Sequence, residues 1–317
     1  MTTTTVTPAT TVLARGDKFV KPILSPGKLV WLRFRRHKMA MAGSVILILI
    51  LLYCSVGAII MPESYANFND TSIKFQPPSP AHPFGTDSIG RDLMARTISG
   101  GQISLIIGVS AMLVALVVGT LVGAIAGYYG GVVDSLLMRF TEAVFNIPQL
   151  FLLIVMGKFF AIEISSIELF GRTFSGSVIV IIVIIGLTSW MYLARIVRAQ
   201  YLSLKARDFV NAAQSIGVSN VAIIFKHILP NTLAPIIVAG TLGIASAILS
   251  EAYVSFLGLG VQPPTASWGN LLVSSYNYLQ TAPWLWIFPG LLITLTVLAI
   301  NFVGDGLRDA LDPRTQI

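Results

Sequence analysis

Three histidines, one cysteine and fourteen acidic residues carry most of the reactive chemistry available to this 317-residue chain, and their spacing argues against catalysis. His37, His82 and His227 lie far apart, and Cys54 sits alone in an apolar run. Neither a shared metal site nor an intrachain disulfide is expected. No G-x-x-x-x-G-K-[ST] phosphate cradle occurs, so the chain is not itself a P-loop ATPase. It is read as a non-enzyme with no catalytic residue and no cofactor of its own. Two charged constellations remain. Glu251 lies near the end of an apolar run, about 20 residues or about 30 Å from the start of its helix. That places it at an outer interface, either as a solvated or salt-bridged residue or as a gate or solute-path residue. Asp87, Arg91 and Asp92 follow a Pro-rich stretch. Asp87 could accept backbone N–H groups as a cap and pair with Arg91, either as a structural turn or in contact with a solute.

The elements that position these groups must be membrane spans. Hydrophobic residues make up 55% of the chain and charged residues only 11%, against about 25% in soluble domains; the mean hydropathy is +0.80. A spanning helix needs about 20 apolar residues. Six segments qualify: 39–61, 102–126, 136–156, 176–193, 232–249 and 284–303. The third carries Arg139 and Glu142 and is interrupted by Pro148, so it should be bent or short. No barrel-like alternation appears, and the first run is too long for a signal-peptide core. The expected fold is an all-α membrane protein of six transmembrane helices.

The expected organisation is a cytoplasmic tail over 1–38 that is disordered at its Thr-rich start, a first span over 39–61 and an external loop over 62–101. A five-helix core over 102–304 and a cytoplasmic tail over 305–317 follow. With both termini inside, all but five of the 21 basic residues (Lys74, Arg91, Arg96, Lys158 and Arg172) fall on the cytoplasmic side. The net charge of +7 therefore reflects membrane orientation and anionic lipid, not nucleic acid. The outer segment 257–283 has no charge and holds Trp268, Tyr276 and Tyr278, as a re-entrant or interfacial segment would.

The inner loop 195–231 is the most informative stretch. Phe209, Ala212, Ala213 and Ile216 share one helical face, with Asp208 as N-cap and Gly217 as the C′ residue. Val221, Ile224, Phe225 and Ile228 repeat the spacing after Ser219, giving a second short helix ended by Pro230. The intervening polar residues Asn211, Gln214, Ser215 and Asn220 are neutral. This suits docking to a protein better than lying on lipid, though both readings fit the pattern.

These residues carry a resemblance. Asp208-Phe209-Val210-Asn211-Ala212-Ala213 with Gly217, then Ile224 to Asn231, resembles the EAA loop of ABC-importer permeases, and of the dipeptide and oligopeptide C-type family in particular. Pro83-Phe84-Gly85-Thr86-Asp87 with Gly90-Arg91-Asp92 agrees. So do Leu257-Gly258-Leu259-Gly260 with Pro263 and Trp268-Gly269, and Gly304-Asp305-Gly306-Leu307-Arg308-Asp309-Ala310-Leu311-Asp312-Pro313. The resemblance covers about residues 30–317; one departure is Asn211, where the family usually has glutamate. It implies a type I importer permease of a prokaryotic inner membrane, working by alternating access as half of a path for short peptides. Relatives with the same architecture carry nickel or oligosaccharides; an ion-coupled carrier is a further alternative. It also implies a B-type permease partner, one or two cytoplasmic ATPase subunits holding ATP and Mg, and an extracellular solute-binding protein. Asp208, Asn211, Ala212, Ala213, Gly217, His227 and Pro230 would couple the chain to the ATPase.

Overall fold

Apolar runs separated by Gly, Pro and charge give a helical bundle in the computed structural model, which describes residues 25–160, 167–169 and 172–312. The Thr-rich start and the last five residues, including Pro313 and Arg314, lie outside the described residues. The chain runs α1 (Pro26–Arg36), α2 (Lys38–Ile60), α3 (Glu63–Ala66), a 3₁₀ turn (Thr71–Ile73), α4 (Leu93–Tyr129), α5 (Gly131–Phe145) and α6 (Gln149–Phe160). A small antiparallel hairpin, β1 (Ile167–Leu169) and β2 (Arg172–Phe174), leads to α7 (Gly176–Lys205), α8 (Asp208–Ser215) and α9 (Asn220–Ala222). A π-helical stretch (Ile223–Ile228), α10 (Leu229–Phe256), α11 (Trp268–Ser275), a second 3₁₀ turn (Tyr276–Tyr278) and α12 (Trp284–Leu311) complete it.

Five helices are long and apolar enough to cross a membrane: α2, α4, α7, the continuous helix from Asn220 to Phe256, and α12. A sixth span is possible if α5 and α6, bent by 80° between them, count as one. The bend falls at Asn146–Pro148, where the sequence places its proline. Several helices exceed their apolar runs; α4 has 37 residues, about 55 Å of helix against a hydrocarbon core of about 30 Å.

The expected end of the second short helix at Pro230 does not occur. Ile223–Ile228 widens into a π turn in which the Leu229 N–H reaches the Ile224 carbonyl, and Pro230 falls in the first turn of α10. A proline is tolerated there because its missing N–H and fixed φ suit a helix start.

α4 packs most extensively against α7. Gly119, Gly123 and Gly127 recur every four residues on one face of α4. A Cβ on Gly119 would meet the Trp190 carbonyl at 2.7 Å, one on Gly123 would overlap the Ala194 carbonyl, and one on Gly127 would meet the Tyr201 Cβ at 2.5 Å. Small residues at this spacing let two backbones approach within a membrane, where dispersion replaces the hydrophobic effect as the driving force. A bidentate pair from Arg198 to Asp134, at 2.5 and 2.6 Å, adds α5 to the same body.

At one end of the bundle, residues before the first span meet residues after the last. Phe34, Ala40 and Ala310 pack together. His37 caps α2 by accepting from the Ala40 N–H, and Arg33 donates to the Asp312 carbonyl. Gly123→Leu should destabilise the detergent-solubilised chain by about 1–3 kcal/mol through overpacking, seen as a lower thermal unfolding midpoint. Gly290→Ala, where a Cβ meets nothing within 4 Å, should instead gain about 0.5–1 kcal/mol.

Candidate functional site

The loop over 195–231 is built on Tyr201, fully buried at the end of α7, whose hydroxyl donates to the Ile224 carbonyl at 3.1 Å. Around it pack Val210, Ala213, Ile223, Ile224 and Ile228. Tyr128 at the end of α4 donates to Asn220 Oδ1 at 2.7 Å, and Lys205 lies over the Tyr128 ring. α8 thus sits on the joined ends of α4 and α7.

The helix differs from expectation in two respects. Asp208 is not its N-cap: Arg207 holds the extended cap conformation (φ −84°, ψ 150°), and Asp208 is the first helical residue. Its charge complements the N-terminal end of the dipole there. The apolar positions also divide instead of sharing one buried face. Val210 and Ala213 point into the protein, whereas Phe209, Ala212 and Ile216 are exposed, Ile216 at 81%. Spacings of three and four residues fit two adjacent stripes, and the one that can reach Tyr201 is buried. Asn211 lies on the exposed side.

Gly217 is the C′ residue, at φ +78°. The Val218 N–H bonds the Ala213 carbonyl and the Gly217 N–H bonds the Gln214 carbonyl, the paired bonds of a Schellman motif. Ser219 caps the next turn through the Ala222 N–H. In the π stretch His227 is half-buried, and its carbonyl accepts from Asn231 Nδ2 at 2.7 Å. Asp208, Asn211, Ala212, Ala213 and Gly217 therefore fall on one compact element, with His227 and Pro230 on the adjoining helix.

At the other end, Asp87, Arg91 and Asp92 form a folded plug. Asp87 Oδ1 accepts from the Ile89 and Arg91 N–H groups, and Oδ2 accepts from Arg91 Nε at 2.6 Å. Asp92, not Asp87, is the helix cap; it accepts from the Ala95 N–H at the start of α4 and lies 2.8 Å from His82 Nδ1. Both carboxylates are buried. Gly90, at φ +82°, passes so close to Asp70 that a Cβ would overlap the Asp70 carbonyl. Ser72 donates its hydroxyl and N–H to Asp70 and holds that exposed carboxyl below its usual range.

Glu251 is not solvated, and among the described residues no cation pairs with it: it is fully buried. Ser104 donates to Oε2 at 2.9 Å and Ser255 to Oε1 at 2.7 Å. The same serines accept from segment 257–283, Ser104 from the Trp268 N–H and Ser255 from the Val261 N–H. Trp268, also fully buried, donates its indole N–H to the Thr97 carbonyl. The uncharged segment 257–283 is thus fastened against α4 and α10 by a chain of backbone N–H, serine and carboxylate. Sequence spacing did not reveal this, because Ser104 and Ser255 carry no pattern of their own.

Long apolar helices around a broken span, with a short exposed helix at one end and a folded cap at the other, define a membrane transport subunit. The profile of the binding-protein-dependent transport system inner membrane component matches residues 119–317, and that of the N-terminal TM domain of oligopeptide transport permease C matches residues 25–78. The chain belongs to the family of binding-protein-dependent inner-membrane transport components. It is 42% identical over 286 residues to the oligopeptide transport system permease protein of Haemophilus influenzae, covering 89% of this chain and 86% of that one. It is 41% identical over 306 residues to the oligopeptide permease protein of Escherichia coli K12, covering 94% and 96%. With the dipeptide transport system permease protein of Bacillus subtilis it shares 39% over 301 residues, covering 94% and 89%.

In the Glu251 network each serine donates to one carboxyl oxygen and keeps its lone pairs for a loop N–H group. Glu251→Gln replaces one acceptor with a donor and displaces one serine. The expected result is a loss of about 1–3 kcal/mol of stability, measured by thermal unfolding, with Ser104→Ala costing less.

Proposed function

We propose that the chain is one permease subunit of an ATP-driven importer of short peptides, with α8 as the helix that couples it to a cytoplasmic ATPase subunit. The observation that carries this is the exposed triad Phe209, Ala212 and Ile216 on a helix whose other face is locked to Tyr201. An apolar face left open on a rigid helix whose only charge, Asp208, lies at its first position needs a complementary cleft. The peptide substrate follows from the relatives, two of which are oligopeptide and one a dipeptide transport system permease protein. Nickel, oligosaccharides and ion coupling receive no such support.

In this reading both termini and the loop from Arg195 to Asn231 are cytoplasmic, and the Asp87 plug and segment 257–283 face outward. The meeting of α1 with the end of α12 supports placing both termini on one side. A B-type permease supplies the other half of the path, one or two ATPase subunits hold ATP and Mg, and an extracellular binding protein delivers solute. ATP binding draws the ATPase subunits together, α8 moves with them, and α4 and α7 carry the motion into the membrane. Solute drives the cycle only through its different affinities for the inward-open and outward-open states.

Gly217→Ile tests the coupling role. A β-branched residue at positive φ costs about 1–2 kcal/mol and loosens the Schellman cap. In the assembled importer, peptide uptake should fall roughly tenfold while ATP hydrolysis persists. Normal uptake by an abundantly inserted Gly217→Ile chain would overturn the assignment.

A further inference from the structure

Many hydroxyls of the spans are satisfied within their own helix. Thr188, Thr241, Thr294, Thr296, Ser44 and Ser55 each donate to a carbonyl one turn back on their own helix, which hides the polar group from lipid. Tyr192 and Ser246 do not. Both are exposed within spans, Tyr192 at 62%, and among the described residues neither makes a hydrogen bond. Gln149, the first residue after the break in the bent span, is exposed as well; its amide only grazes Ser189 Oγ at 3.5 Å. These four residues come from three separate stretches of chain, α6, α7 and α10, yet they line one cavity of about 210 Å³. No acid or base lines it. Arg195, one turn along α7 from Tyr192, is drawn onto the ring of Phe145 with its guanidinium 4.2 Å from the ring centre.

Exposed amide, phenol and hydroxyl groups with no partner do not face hydrocarbon, because nothing there can hydrogen-bond them. Such groups within membrane depth are retained where they line a water-filled cavity. We infer that Gln149, Ser189, Tyr192 and Ser246 line the solute path on this chain and take the peptide backbone as their ligand, exchanging hydrogen bonds with its amides and leaving its side chains unread. The inference rests on the proposed peptide-importer function. Neutral donors and acceptors match the part common to all peptides, whereas a fixed charge would select for side-chain charge. The volume accommodates one or two residues of an extended chain, which the partner permease must enclose from its open side.

Two measurements on the complete importer test it. In membranes, with the buried Cys54 retained, Ser246→Cys and Tyr192→Cys should react with a charged, membrane-impermeant thiol reagent, while Leu49→Cys on the exposed apolar surface of α2 should not. Failure of both path cysteines to react overturns the wet face, and this readout does not depend on the solute being a peptide. In proteoliposomes, uptake of neutral, acidic and basic tripeptides is compared after normalising for occupancy of the binding protein. Ser246→Asp should lower the acidic-to-basic uptake ratio by about tenfold, and Ser246→Lys should raise it similarly, as expected for a charge within a few ångströms of the passing chain. Unspecific damage lowers both peptides together. An unchanged ratio in both variants overturns the placement of Ser246 on the path, wild-type uptake that favours one peptide charge severalfold overturns the backbone-reading claim, and a wild-type importer that takes up none of the three peptides overturns the proposed function and leaves the labelling result to stand.

Discussion

The close approach of α4 and α7 is the constraint on which the remaining architecture depends. Three glycines at four-residue spacing leave no room for a Cβ against α7, so the most extensive helix contact of the core is made by main chain as much as by side chain. This body fixes where each end of the molecule can act. At one end Gly127 lies against Tyr201, and Tyr201 is the post on which α8 is mounted. Asp134 and Arg198 bind the first half of the broken span to the same pair. A displacement applied to α8 therefore passes directly into two spanning helices.

The two ends use different physics. The end that carries α8 is held by apolar packing and backbone caps, with an exposed apolar triad left over. The opposite end is held by buried polar groups: the Asp87 plug, the Asp92 cap and the serines around Glu251. Trp268 joins that end to the core, lying beside Gly101 and Cys54, where a Cβ on Gly101 would have no space. Buried polar networks fix one geometry because every partial satisfaction is costly. The cavity lined by Gln149, Ser189, Tyr192 and Ser246 lies between the two ends.

Much of this was legible in the sequence. The spans, the bend at Pro148, the Gly217 cap and the Ser219 cap follow from hydropathy and capping chemistry, which are local. The apolar face of α8 was only half legible. Spacing located Phe209, Ala212 and Ile216, but which stripe is buried depends on Tyr201, a tertiary neighbour. The surroundings of Glu251 were missed for a similar reason: distance along a helix locates depth, not environment, and the serines that enclose it come from α4 and α10. The continuation of the helix through Pro230 escaped because a π turn has no simple sequence signal. The Gly119, Gly123 and Gly127 repeat did offer a signal, two overlapping G-x-x-x-G motifs within an apolar run.

The central claim, that the exposed triad of α8 seats the chain on an ATPase subunit, is tested most directly by co-isolation. Phe209→Asp and Ile216→Asp change exposed side chains and leave Val210, Ala213 and the Gly217 cap in place. Each variant should insert into the membrane and unfold at the wild-type temperature, yet no longer co-purify with its ATPase subunit. Undiminished co-purification by a chain carrying both substitutions would contradict it.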